Sequence, residues 1–332
     1  MNAGSDPESA DVRLAGDARL ERCAICPRAC GANRRAGERG ACGAGSGAEV
    51  ASICLHRGEE PAISGPRGIA NVFFAGCNLS CTYCQNWQIS RPGARARFGS
   101  LDAAAGEVMR LLDAGAGGVG FVSTAHVAPQ VEALARALRA RGVHAPFVLN
   151  TNAYESPDTL ARLAPLVDVY LPDLKYMDAA LAARLSDATD YPGVAAVALR
   201  TMFERTGARV EFDGDGLARR GLIVRHLVLP GEVENSLACL RFVAHKLSPD
   251  VWVSVMAQYT PTPAVARDAT LGRRVTEAEY AAVLAEAERL GLERGWRQRL
   301  ADAKGYSPDF DAADPFAPVA PEASCGEGAS RG

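Results

Sequence analysis

From residue 69 onward, short apolar runs alternate with longer stretches whose apolar positions recur three and four apart. The runs are Ala70–Ala75, Val119–Ser123, Pro146–Leu149, Val167–Leu171, Leu222–Leu229 and Val251–Met256. Between them lie LDAAAGEVMRLLDAG, APQVEALARALRARG, SPDTLARLAPL, GVAAVALRTMFERTG and ENSLACLRFVAHKL, each with the spacing of an amphipathic helix. A last helix is predicted from about Glu277 to Gly291. Strand–helix repeats in this order predict parallel strands joined by right-handed crossovers. Such repeats close either as a doubly wound sheet or as a full or partial barrel, and periodicity alone does not choose.

Polar groups follow the predicted strands. They are Ser123-Thr124-Ala125-His126 after the second, Asn150-Thr151-Asn152 after the third and Pro172-Asp173-Leu174-Lys175 after the fourth. The fifth ends in Pro230-Gly231 and the sixth in Gln258-Tyr259. In a barrel these positions converge on one face, where function resides. Upstream the rhythm changes. Residues 1–18 are small and polar and read as disordered; residues 19–68 form a Cys-, Gly- and Arg-rich extension; residues 69–300 form the repeat region. Residues 306–332 read as a disordered tail. The extension is too poor in apolar residues to fold on a core of its own, so it is expected to be held by a metal or cluster.

Composition narrows the class. Of 332 residues, 48% are hydrophobic but only 6% aromatic, which suits a sheet under helices better than an aromatic-rich sandwich. The net charge of −3 displays no basic face, so nucleic acid is not favoured as a partner. There is no apolar signal segment and no run near the ~20 residues needed to cross a bilayer. A cytoplasmic location without a membrane partner is expected. The ten cysteines cluster at short spacings, which points to metal rather than disulfides.

Cys77, Cys81 and Cys84 form C-x3-C-x2-C directly after the first predicted strand. Three thiolates on a 4Fe–4S cluster leave one iron without a protein ligand. A structural zinc site wants four ligands, which this spacing does not supply. Cys23, Cys26, Cys30 and Cys42 form a second set that suits zinc or a second Fe–S cluster equally. Cys54 and His56 lie near enough to substitute as ligands in that set. Arg225 and His226 alternate on the fifth strand, so only one faces inward. Arg225 is the better contact for a carboxylate, because its guanidinium is a fixed fork. Glu59 and Glu60 are expected to pair with arginines of the extension. Gln258 and Tyr259 are candidates to close the pocket.

The triad, with Tyr83 just before its last cysteine, resembles the signature of the radical SAM superfamily. CPRAC (Cys26–Cys30), GEEPAISG (Gly58–Gly65), FFAGCNLSCTYCQN (Phe73–Asn86), VDVYLPDLKY (Val167–Tyr176), RHLVLPG (Arg225–Gly231) and MAQYTP (Met256–Pro261) together resemble its pyruvate formate-lyase activating enzyme-like branch. Within that branch the match is to a group with a Cys-rich N-terminus. The resemblance implies a partial (β/α)6 TIM-like barrel of parallel strands with a small Cys-rich extension. It implies a 4Fe–4S cluster on Cys77, Cys81 and Cys84, and S-adenosylmethionine (SAM) on the open iron. Cleavage of SAM would give a 5′-deoxyadenosyl radical. It further implies Tyr83 beside the adenine, and Asp173 and Lys175 along the SAM site with Lys175 at the methionine carboxylate. Relatives carry Gly-Gly-Glu after the second strand for the SAM amino group. Here Ser123-Thr-Ala-His126 stands there, so Thr124 and His126 are candidates by position.

Implied partners are a one-electron donor such as flavodoxin or ferredoxin, and a glycyl radical enzyme or other protein as substrate. Two rival readings stand beside this one: radical SAM modification of an RNA or small molecule, and a non-catalytic iron–sulfur electron carrier.

Overall fold

The computed structural model describes residues 9–302 and 307–317. Its centre is one sheet of nine strands: β1 (Val50–His56), β2 (Ile69–Phe74), β3 (Val119–Val122), β4 (Phe147–Thr151), β5 (Val169–Pro172), β6 (Glu211–Phe212), β7 (Ala218–Leu227), β8 (Trp252–Met256) and β9 (Gly295–Arg297). The hydrogen-bonded order is β1-β2-β3-β4-β5-β7-β8-β9, with β6 an antiparallel appendage on β7. Every neighbouring pair from β2 to β9 is parallel. β1 and β9 end the path, so this is a split barrel of the partial TIM-like kind. The six predicted runs become β2, β3, β4, β5, β7 and β8.

Helices cross between consecutive parallel strands: Leu101–Asp113, Ala128–Ala140, Pro157–Leu163, the pair Ala179–Ser186 and Tyr191–Thr206, Val233–Phe242, and Glu277–Arg289. Their starts are written locally. Ser100, Ser156, Asp178 and Thr276 each accept a first-turn backbone N–H, and Thr276 closes a full capping box with Glu279. Alternation along the strands sets two faces. On β2, Val72 and Phe74 pack into the helix-side core, while Asn71 and Phe73 face the lumen.

Four expectations about the chain's organisation are corrected. The extension is not separate from the barrel, because β1 pairs antiparallel with β2 and joins the sheet. Residues 10–15, expected to lack structure, form a helix with Ala10 and Leu14 buried in the main core. A further parallel strand, β9, follows the last predicted helix. The expected disordered tail is ordered where described: Phe310 is 1% exposed and meets Phe73 edge-on, and Phe316 stacks on His56 at 3.9 Å. Residues 1–8, 306 and 318–332 of those expected segments, and residues 303–305 before the tail, lie outside the described residues.

The extension is held by the barrel rather than by its own core. Arg28 donates to the Asn78 carbonyl (2.8 Å), Arg34 to the His126 carbonyl (2.8 Å) and Gln130 to the Gly47 carbonyl (2.9 Å). Ser156 and Thr159 both donate to the carbonyl of Ile25.

Candidate active site

β2 runs out at Phe74, and the chain turns at Gly76 with φ of +81°. A side chain there would overlap the carbonyl oxygen of Cys42, so the extension and the triad loop touch backbone to backbone. The loop is tied down on its other side by the end of helix Ala179–Ser186. Ser80 N donates to the Ser186 carbonyl (3.2 Å) and Thr82 N to the Leu185 carbonyl (2.8 Å). Asn78 reaches the carbonyl of Tyr154 at 2.7 Å.

Cys77, Cys81 and Cys84 all open on one cavity of about 560 Å³ in the barrel lumen. Each sulfur receives a hydrogen bond. Leu79 N (3.4 Å) and Asn152 Nδ2 (3.5 Å) donate to Cys77, Ser186 Oγ (2.9 Å) to Cys81, and Ser90 Oγ (3.3 Å) to Cys84. Burial, with the neighbouring thiols Cys81 and Cys84, pushes Cys77 up to about 12, so its thiolate needs a cationic partner.

A buried ion network forms another wall of the cavity. Arg225 Nε donates to Asp173 Oδ1 (2.7 Å), Nη1 to Glu59 Oε2 (2.9 Å) and Nη2 to Asn150 Oδ1 (2.6 Å). Lys175 Nζ donates to Asp173 Oδ2 at 2.9 Å. Burial alone would raise Glu59; the hydrogen bond from His56 and the charge of Arg225 overcome it and hold Glu59 at about 2. Burial raises Glu60, with the Glu59 charge beside it adding to the rise against the pull of Arg225. The expected pairing of Glu59 and Glu60 with extension arginines is thus replaced by Arg225, because β1 delivers the Gly58–Glu60 loop to the lumen.

The cavity gathers Tyr83, Asp173, Lys175 and Arg225 with the triad, and Gln258 also lines it. Tyr259 does not: its hydroxyl is buried on the Leu271 carbonyl at 2.6 Å. Thr124 and His126, candidates by position, lie outside it. Thr124 is fully buried against Glu155 (3.5 Å), and His126 Nε2 pairs with the Ala75 carbonyl (2.9 Å). Burial lowers His126 to about 4, so its ring is neutral and faces the extension. Ser123, the residue before them, adopts φ of +57° and alone of that group reaches the cavity. His226 points away from the lumen and bonds the Leu174 carbonyl at 2.7 Å.

Among the described residues, no group of three or more His, Cys, Asp or Glu is arranged to hold a metal ion. For Cys23, Cys26, Cys30 and Cys42 a positive charge already sits among the thiols. The buried guanidinium of Arg34 donates to Cys23 Sγ (3.1 Å) and Cys42 Sγ (3.5 Å). Nothing in this arrangement supports the expected second cluster or zinc, and His56 is engaged with Glu59 and Asn71. The triad differs. Its three thiols share one cavity with Lys175 and each receives a hydrogen bond, which fits an iron–sulfur group rather than a single ion.

Residues 71–197 match the Radical SAM superfamily. The radical SAM match begins inside β2 and runs into helix Tyr191–Thr206, so it holds the triad, Asp173 and Lys175, while Arg225 lies beyond it. A curated relative is the uncharacterized protein MJ0674 of Methanocaldococcus jannaschii, 27% identical over 286 residues, covering 82% of this chain and 76% of that one. Among solved structures, Streptococcus suis SuiB is similar in its complexes with precursor peptide SuiA and with S-adenosylmethionine. Each has a TM-score of 0.42 and 13% identity, and the matches cover 67% and 64% of this chain. The chain spans less than half of SuiB, 46% and 44% respectively.

Of the side-chain donors to the sulfurs, the sequence singled out Asn152 only as a strand-end polar group and did not single out Ser186 or Ser90. Ser90 and Asn152 lie in or near segments already singled out. Ser186 carries no local signal, since its partner Cys81 is 105 residues away.

Proposed function

We propose that the protein is a radical SAM enzyme. Its 4Fe–4S cluster would be held by Cys77, Cys81 and Cys84. The observation that carries this reading is that all three thiols open on one cavity, shared with Asp173, Lys175 and Arg225, inside a split parallel barrel. When bound, the cluster supplies the electron that splits SAM into methionine and a 5′-deoxyadenosyl radical able to take hydrogen from a substrate.

The chain's own residues bind, orient and exclude water. Ser186, Ser90 and Asn152 steady the sulfurs. Lys175, on the cavity wall with one donor spent on Asp173, has two further N–H donors for the methionine carboxylate. Tyr83 lines the cavity with its hydroxyl held 2.6 Å from that of Tyr176, a fixed ring for the adenine. Arg225 gives one N–H each to Asp173, Glu59 and Asn150 and so fixes these groups in the cavity wall, with N–H donors left for a SAM carboxylate. The activating-enzyme-like motifs make a glycyl radical enzyme the proposed substrate, with a flavodoxin- or ferredoxin-type protein as electron donor.

The test is anaerobic reconstitution with iron and sulfide, reduction, addition of SAM and chromatography for 5′-deoxyadenosine. Production above a Cys81→Ala control is expected, and equal traces from both proteins sink the reading. A non-catalytic electron carrier is distinguished by its paramagnetic resonance spectrum, which would not respond to SAM.

A further inference from the structure

The three triad sulfurs are not equivalent. The donors to Cys77 and Cys84 stand 3.3–3.5 Å away, whereas Ser186 Oγ lies 2.9 Å from Cys81 Sγ, and both residues are buried. Ser186 ends helix Ala179–Ser186, and its rotamer is fixed from behind by the Tyr176 hydroxyl at 2.7 Å. Tyr176 is itself fully buried and held by Tyr83 at 2.6 Å. The same helix end takes two backbone N–H groups of the triad loop on the carbonyls of Leu185 and Ser186. One short helix therefore grips the loop by main chain and addresses its middle sulfur by side chain.

A ligated cysteine sulfur is a thiolate and can only accept, so the single hydroxyl proton of Ser186 must point to it. A donor on a cluster sulfur stabilises the more negative, reduced form, and more strongly where water is excluded. Partners in this outer position commonly tune a metal group as well as orient its ligands. We propose that Ser186 is a positioning residue that sets the reduction potential of the iron–sulfur group on the triad, with Tyr176 holding its hydroxyl in place. This rests on the radical SAM reading above.

The experiment compares wild type, Ser186→Ala, Ser186→Thr, Tyr176→Phe and Ser90→Ala after anaerobic reconstitution. Iron and sulfide content and the visible spectrum report loading. A redox titration followed by paramagnetic resonance reports the midpoint potential. Ser186→Ala is expected to load iron normally and to lower the reduction constant about tenfold, about 59 mV for one electron. Tyr176→Phe should move it in the same direction by less, Ser90→Ala should move it less than Ser186→Ala, and Ser186→Thr should restore it. If Ser186→Ala and Tyr176→Phe both load iron and keep the wild-type potential, the proposal is overturned. Should Ser186→Ala fail to fold, Tyr176→Phe decides alone. Wild type that takes up no iron removes the radical SAM reading itself, an outcome separate from an unchanged potential.

Discussion

Arg225 is the cation that links Asp173 and Glu59 in the lumen, with Lys175 on the far oxygen of Asp173. With its side chain 11% exposed, it meets Asp173 and Glu59 directly and stands 3.9 Å from Glu60. Arg225→Met would leave these carboxylates buried beside too little positive charge. A loss of about 3–5 kcal/mol is expected, read by thermal or denaturant unfolding. Glu155 gives a pH-dependent counterpart. It is 1% exposed, one of its oxygens has no hydrogen-bond partner, and burial raises it from 4.5 to about 7 against hydrogen bonds from Thr151 and Thr124. Its favourable share is fully present below pH 4.5 and is lost as the pH rises to about 7, a difference of about 3 kcal/mol. Glu155→Gln should flatten that decline and be the more stable protein at pH 8, measured by unfolding across pH 4–8. Alternation along a strand was enough to show from sequence that only one of Arg225 and His226 faces the lumen. The partners of Arg225 were not legible, because Glu59 reaches it across 166 residues through the antiparallel β1.

At the scale of elements, the triad loop is clamped between the extension and a helix end, and Gly76 is where the clamp closes. Gly76→Ala forces a side chain into a left-handed backbone position and onto the Cys42 carbonyl. The expected result is a looser extension, seen as faster limited proteolysis within residues 19–48, together with reduced iron loading. The capping box at Thr276 does not line the cavity. Thr276→Ala should cost about 1 kcal/mol in unfolding and leave cluster loading as in wild type. The six parallel strands were legible because each is a short apolar run between amphipathic helices. β1 was hidden inside a Cys- and Gly-rich stretch, and β9 has only three half-buried residues. Helix Ala179–Ser186 escaped notice, and with it the hydroxyl on Cys81.

Over the whole molecule, the cavity draws on residues from His56 to Phe316. Convergence of strand-end polar groups was legible as a property of barrels. It did not distinguish Ser123, which reaches the cavity, from Thr124 and His126, because a left-handed turn at Ser123 sends the chain outward. Composition misdirected the reading of the tail. Its Pro, Asp and Ala content masks two phenylalanines that find a prepared apolar niche beside Phe73, Cys54 and Ile89. Phe310→Ala should cost about 3 kcal/mol and widen solvent access to the cavity, read by unfolding and by faster alkylation of the triad thiols in the metal-free protein.

Pro308 and Phe316 form part of that cavity's wall, and they come from the last strip of chain described. In order of synthesis the chamber is therefore finished from its far end. The three thiols are translated early, at the end of the first parallel strand, and their enclosure waits for residues more than two hundred positions later. Until that strip docks, the chamber around the three thiols stands open along one side.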